Sequence, residues 1–143
     1  MSNISRFLKP NKKVKKNGTY PATKSLTDEN GKPLDWTFKP ISSKENDRIK
    51  DECTIDVQVK GKPNLYRPKL DTNKYLNKMV SACTVEPDLY NKELQDSYGV
   101  KTPEELLYAM VDDPGEYSEL CVWVQKYQGF NTTMDDKVDE AKN

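Results

Sequence analysis

The sequence predicts an α+β domain dominated by helices, and three observations carry that reading. Capping residues stand just before apolar stripes across residues 71 to 130, two short segments at 34 to 38 and 54 to 59 alternate apolar and polar residues, and both ends lack apolar periodicity. A chain of 143 residues has room for one domain, which at this size buries about two thirds of the surface its unfolded chain exposes. The expected organisation is a flexible basic arm at residues 1 to 20, a single α+β domain at 21 to 130 and a flexible tail at 131 to 143. A composition of 34% hydrophobic and 32% charged residues, with a mean hydropathy of -0.94, agrees with some chain lying outside the core.

Taken in order, the arm holds Pro10, a lysine run and the turn signal Asn17-Gly18, with Ile4, Phe7 and Leu8 as its only apolar anchors. Glu29-Asn30-Gly31-Lys32 is the expected tight turn, because Asn and Gly tolerate positive φ. Alternation in Leu34-Asp35-Trp36-Thr37-Phe38 puts Leu34, Trp36 and Phe38 on one strand face. Ser42-Ser43-Lys44-Glu45 reads as a capping box that opens a short helix to about Cys53, whose apolar edge is only Ile49 and Cys53. Ile55, Val57 and Val59 then share a face of a second strand, and pairing of that strand with 34 to 38 would give a small antiparallel sheet in the N-terminal half. Leu65-Tyr66-Arg67 is a further edge candidate, shortened by Pro63 and Pro68.

Asp71 caps a helix over 72 to 83 whose stripe is Tyr75, Leu76, Met79, Val80 and Cys83. Residues 94 to 130 then hold three helix starts and stops. Asn91 caps a short helix closed by Gly99, and Thr102-Pro103-Glu104-Glu105 combines a capping box with proline at the first helical position, burying Leu106, Leu107, Met110 and Val111. Asp113-Pro114-Gly115-Glu116 repeats the logic, with Glu116 favouring the positive helix end, for a helix to about Gln128 that presents Tyr117, Leu120, Cys121, Val124 and Tyr127, widened by Trp123. Gly129-Phe130 fits a glycine stop followed by an apolar residue that folds back.

The chemistry of the chain is sparse. It has no histidine, no Walker motif and no dinucleotide fingerprint, and its three cysteines, Cys53, Cys83 and Cys121, are widely spaced on helix faces as small hydrophobes. Asp112-Asp113 and Glu104-Glu105 sit where helix N-termini use acids for the dipole, so neither metal nor other cofactor is expected and the reading is non-enzymatic. No apolar run of membrane-spanning length and no signal-peptide h-region is seen, so the expectation is a soluble protein made in the cytosol.

Charge is zero in sum but divided along the chain. Arg6, Lys9, Lys12, Lys13, Lys15, Lys16 and Lys24 face no acid in the first 24 residues, whereas residues 86 to 120 hold ten acids against Lys92 and Lys101. The arm reads either as a solvated lead-in or as a contact for nucleic acid or an acidic protein; no aromatic interleaves its lysines for base stacking, which favours the lead-in. The same division allows head-to-tail self-association. Eight tyrosines and two tryptophans offer interface anchors, and Tyr98, Tyr117, Trp123 and Phe130 are the candidate partner-binding residues, of which Tyr117 and Trp123, on one helix stripe with Tyr127, are alternatively core.

Several motifs in joint order resemble the XkdN-like phage tail assembly chaperone family of PBSX-type contractile-tail gene clusters. They are Phe7-Leu8 with Asn11-Lys12-Lys13, Asp28-Glu29-Asn30-Gly31-Lys32-Pro33 before Trp36, Ile41-Ser42-Ser43-Lys44-Glu45, Tyr75, Glu86-Pro87-Asp88-Leu89, and above all Glu93-Leu94-Gln95-Asp96-Ser97-Tyr98-Gly99-Val100 with Pro114-Gly115-Glu116-Tyr117. The resemblance spans roughly residues 5 to 130. It implies a non-enzymatic helper in the host cell cytoplasm, absent from the mature virion, that keeps the tape measure protein soluble and assists assembly of the tail tube protein around it. The alternatives are a structural tail or head-connector component, or a nucleic-acid-binding module that uses the basic arm.

Overall fold

The computed structural model describes residues 3–131 and Thr133, so all of the expected tail at 131 to 143 except Asn131 and Thr133 lies outside the described residues. The fold is α+β with helices dominant. Its centre is α2 (Thr72–Cys83), which packs against α1 (Ser43–Glu52), α4 (Pro103–Met110) and α5 (Pro114–Tyr127). Tyr75, Met79, Val80 and Cys83 of α2 are at most 1% exposed, as the stripe requires, and the Tyr75 hydroxyl donates to Asn46 Oδ1 to tie α2 to α1. From the neighbours come Ile49, Leu106, Leu107, Leu120 and Val124, all buried. The polar face of α2 is not solvent-facing throughout: Asn77 and Ser81 are buried, and Asn77 Nδ2 donates to the Glu104 carbonyl at 3.3 Å across to α4.

Helix starts follow local chemistry. Ser42 Oγ accepts from the Glu45 N–H at 3.0 Å, Asp71 from Lys74, Asn91 from Leu94 at the start of α3 (Lys92–Ser97), and Thr102 Oγ1 from Glu105 at 3.1 Å. The stops follow it too: Gly99 at φ 69° and Gly129 at φ 98° take the left-handed conformation, and after Gly129 the Phe130 N–H returns to the Gln125 carbonyl at 3.0 Å.

The strands depart from the expected pairing. β2 (Trp36–Phe38) lies centrally in a three-stranded antiparallel sheet between β1 (Gly18–Tyr20) and β5 (Thr84–Glu86). β1 falls within the segment read as an arm, and β5 within the half expected to be helical. Trp36 and Phe38 are buried on the core side, but Leu34 precedes the strand and is 44% exposed, so the shared three-residue face is not formed. The strand β3 (Thr54–Val59) pairs with β4 (Lys62–Leu70) instead of with 34 to 38, as Ile55↔Lys69 and Val57↔Arg67 show. Closure through the Lys60-Gly61 turn spans far fewer residues than a return to Trp36, so its entropy cost is smaller. Pro63 and Pro68 do not shorten β4, because a two-stranded ladder leaves an outer edge where no N–H is required.

Candidate functional site

Trp123 and Tyr127 of α5 form an aromatic seam with Tyr20 and Phe38, and residues 15 to 24 fold across it. Trp123 lies between Tyr20 (ring centroids 5.0 Å apart) and Tyr127 (5.3 Å, rings within 2° of parallel), with Phe38 tilted against it at 5.3 Å. Tyr127 donates from its hydroxyl to the Lys16 carbonyl at 2.7 Å, while Lys15 Nζ sits 4.8 Å above the same ring and donates to the Tyr127 carbonyl. Gly18 is where the strand comes closest: a Cβ there would stand 2.9 Å from Tyr127 Cε1. Burial pushes the Tyr20 and Tyr127 phenols above their ordinary range; for Tyr20 the nearby Glu119 and Glu116 carboxylates push the same way.

Two polar side chains clamp the ends of this seam. Glu116, whose expected role was the helix dipole, accepts from Thr23 Oγ1 and the Lys24 N–H, each at 2.8 Å, while Asp113 caps α5 through the Gly115 and Glu116 N–H groups. At the other end Gln128 donates to the Lys39 carbonyl at 2.9 Å and accepts from the Ile41 N–H at 3.0 Å. Sequence reasoning missed both roles, since each pairs residues about 90 positions apart with no local pattern to announce it.

The structure places the four candidate aromatics in separate surroundings. Trp123 belongs to the seam and shows one edge to a groove with Tyr20, Glu119, Val122 and Lys126. Tyr117 stacks on Tyr108 at 5.0 Å, and its hydroxyl is buried near Tyr108 and Asn77 without a completed hydrogen bond, so burial pushes its pKa up. Phe130 folds back beside Ile41, Asn46, Asp47 and Gln128. Tyr98, 36% exposed, lines a hollow with Leu34, Asp35, Trp36, Glu86 and Leu94.

The three thiols are buried, and burial pushes Cys83 up to about 12, the reverse of what a nucleophile needs. Among the described residues no group of three or more acids or cysteines could hold a metal ion, and no helix is long and apolar enough to cross a membrane.

Comparison with known proteins places this geometry in a group. The model of the phage XkdN-like tail assembly chaperone protein family matches residues 4–142. The chain is 27% identical over 123 residues to the phage-like element PBSX protein XkdN of Bacillus subtilis strain 168, covering 86% of this chain and 82% of that protein. It is 28% identical over 123 residues to the uncharacterized protein YqbN of the same strain, covering 86% and 81%. The crystal structure of YqbN matches with a TM-score of 0.74 at 21% identity, over 92% of this chain and 99% of that one, and shows a shared fold.

Proposed function

The chain belongs to the phage XkdN-like tail assembly chaperone family, and from that premise we propose that it binds the tape measure protein of its tail gene cluster and assists tail tube assembly without catalysing a reaction. The family match over residues 4–142 carries this reading. Its physical logic is that a long helical client exposes apolar stripes that aggregate unless covered. The chain has apolar side chains to offer such a client: on the basic arm Phe7 is 81% exposed and Ile4 69%, and of the four candidate aromatics Tyr98 is the most open. The buried thiols favour a non-enzymatic role.

Co-expression tests it. The tape measure protein should gain solubility and co-purify with this chain; neither binding nor a gain in soluble client would overturn the reading. The protein is expected to act in the host cytoplasm and to leave before the particle is complete, so stoichiometric copies in purified virions, seen by mass spectrometry, would favour a structural tail component instead.

A further inference from the structure

Residues 54 to 70 form a hairpin that projects from the domain. No hydrogen bond or ion pair among the described residues joins 55 to 69 to the rest of the chain, and the attachment is at the base, where the Asp71 N–H meets the Cys53 carbonyl at 2.8 Å and Thr54 Oγ1 donates to the Lys50 carbonyl at 2.8 Å. A two-stranded ribbon alone is marginal in water. This one nevertheless leaves Ile55 46%, Leu65 50% and Tyr66 60% exposed. The register sorts its faces: Ile55 opposite Lys69 and Val57 opposite Arg67 share one side, while Asp56, its only acid, lies opposite Pro68 on the other. One face is therefore aliphatic and cationic, with Lys60 and Lys62 adding charge at the tip. Pro63 and Pro68 interrupt the N–H row of β4, so the strand edge is a poor template and the face is the better docking element.

Elsewhere the same molecule carries a patch of the opposite character. The hollow around Tyr98 has an apolar lining in which Leu34 is 44% exposed, and Asp35 and Glu86 stand at it with no basic residue. We infer that the β3–β4 hairpin of one copy seats its Ile55/Val57/Arg67/Lys69 face in the Leu34/Tyr98 hollow of a second copy, against Asp35 and Glu86. Both charge and apolar character are complementary, and the two patches are different surfaces, so the contact is head-to-tail and propagates unless a ring closes. It stands independently of client binding.

Sedimentation velocity on the full chain decides it. Wild type should assemble beyond a monomer as concentration rises, and less so as salt is raised past about 0.15 M, where charges are screened beyond about 8 Å. Arg67→Glu with Lys69→Glu, and separately Asp35→Lys with Glu86→Lys, should each weaken association by roughly 100-fold, because like charges now face each other. Mixing the two variants restores opposite charges at every contact and should restore assembly, which a merely misfolded chain could not do. A wild type that stays monomeric at the highest attainable concentration, variants that assemble as well as wild type, or folded variants whose mixture stays monomeric would each overturn the inference. Should a reversed chain unfold by circular dichroism, Arg67→Gln with Lys69→Gln gives the same readout, weaker association supporting the contact and unchanged association overturning it.

Discussion

Glu116 accepts a 2.8 Å hydrogen bond from the Thr23 hydroxyl, joining the first turn of α5 to a loop 93 residues earlier in the chain. Its second oxygen takes the Lys24 N–H at 2.8 Å. Both are charge-assisted, and removing the carboxylate leaves the buried Thr23, 1% exposed, with less to donate to. Glu116→Ala should cost about 1–3 kcal/mol in urea unfolding and speed tryptic cleavage after Lys24. Unchanged stability and cleavage would mean the clamp is not needed.

Gly18 faces Tyr127 and Trp123 at a distance that admits no side chain. In Gly18→Ala the new methyl would lie 2.9 Å from Tyr127 Cε1 and 3.1 Å from Trp123 Cη2, so the seam must open or β1 must shift. The expected loss is about 1–3 kcal/mol, as for other overpacked sites, with a changed Trp fluorescence maximum.

These two contacts show where sequence reading stopped. The N-caps at Ser42, Asp71, Asn91, Thr102 and Asp113 were legible because each acts on a backbone group two or three residues away. The apolar stripe of α2 was legible because its period is built into the helix. Strands Gly18–Tyr20 and Thr84–Glu86 are three residues long with no alternation in the residues that flank them, and each is defined by pairing with Trp36–Phe38 across the chain. Trp123 and Tyr117 lie on one helix, but the sequence could not say that Tyr20 and Tyr108 would each take one of them as a stacking partner.

Tyr117 carries a buried hydroxyl that pays for its desolvation without a full hydrogen bond in return. Tyr117→Phe keeps the ring stacked on Tyr108 and removes that oxygen. Stability should be unchanged or higher by up to about 1 kcal/mol. A loss larger than that would reveal a bond from the hydroxyl to Asn77 or Tyr108.

Burial raises the Cys83 thiol from its ordinary 9.0 to about 12. The folded chain then holds a proton that the unfolded chain releases, so the stabilisation is complete below pH 9 and is lost as pH rises toward 12, by up to about 1.4 kcal/mol per pH unit for this group. Tyr75 and Tyr117, also raised by burial, steepen the same alkaline limb. Urea midpoints measured from pH 8 upward should fall, and Cys83→Ala, though less stable at neutral pH, should fall less steeply. Parallel curves would show that Cys83 ionises as freely folded as unfolded.

Phe7 tests the proposed client role without disturbing the fold. It is 81% exposed in the 3-10 turn Asn3–Phe7, which buries none of its residues, so Phe7→Ser should leave the unfolding free energy from urea titration within about 0.5 kcal/mol of wild type. If the arm's apolar residues cover a client stripe, the same substitution lowers the amount of tape measure protein recovered in complex. The neighbouring lysines separate this from a charge effect: Lys12→Ala with Lys13→Ala keeps Phe7 and removes two cations. Binding that falls with the Phe7 change and survives the lysine changes assigns the contact to apolar cover. The opposite pattern, loss with the lysines alone, would assign the arm an electrostatic role toward an acidic surface.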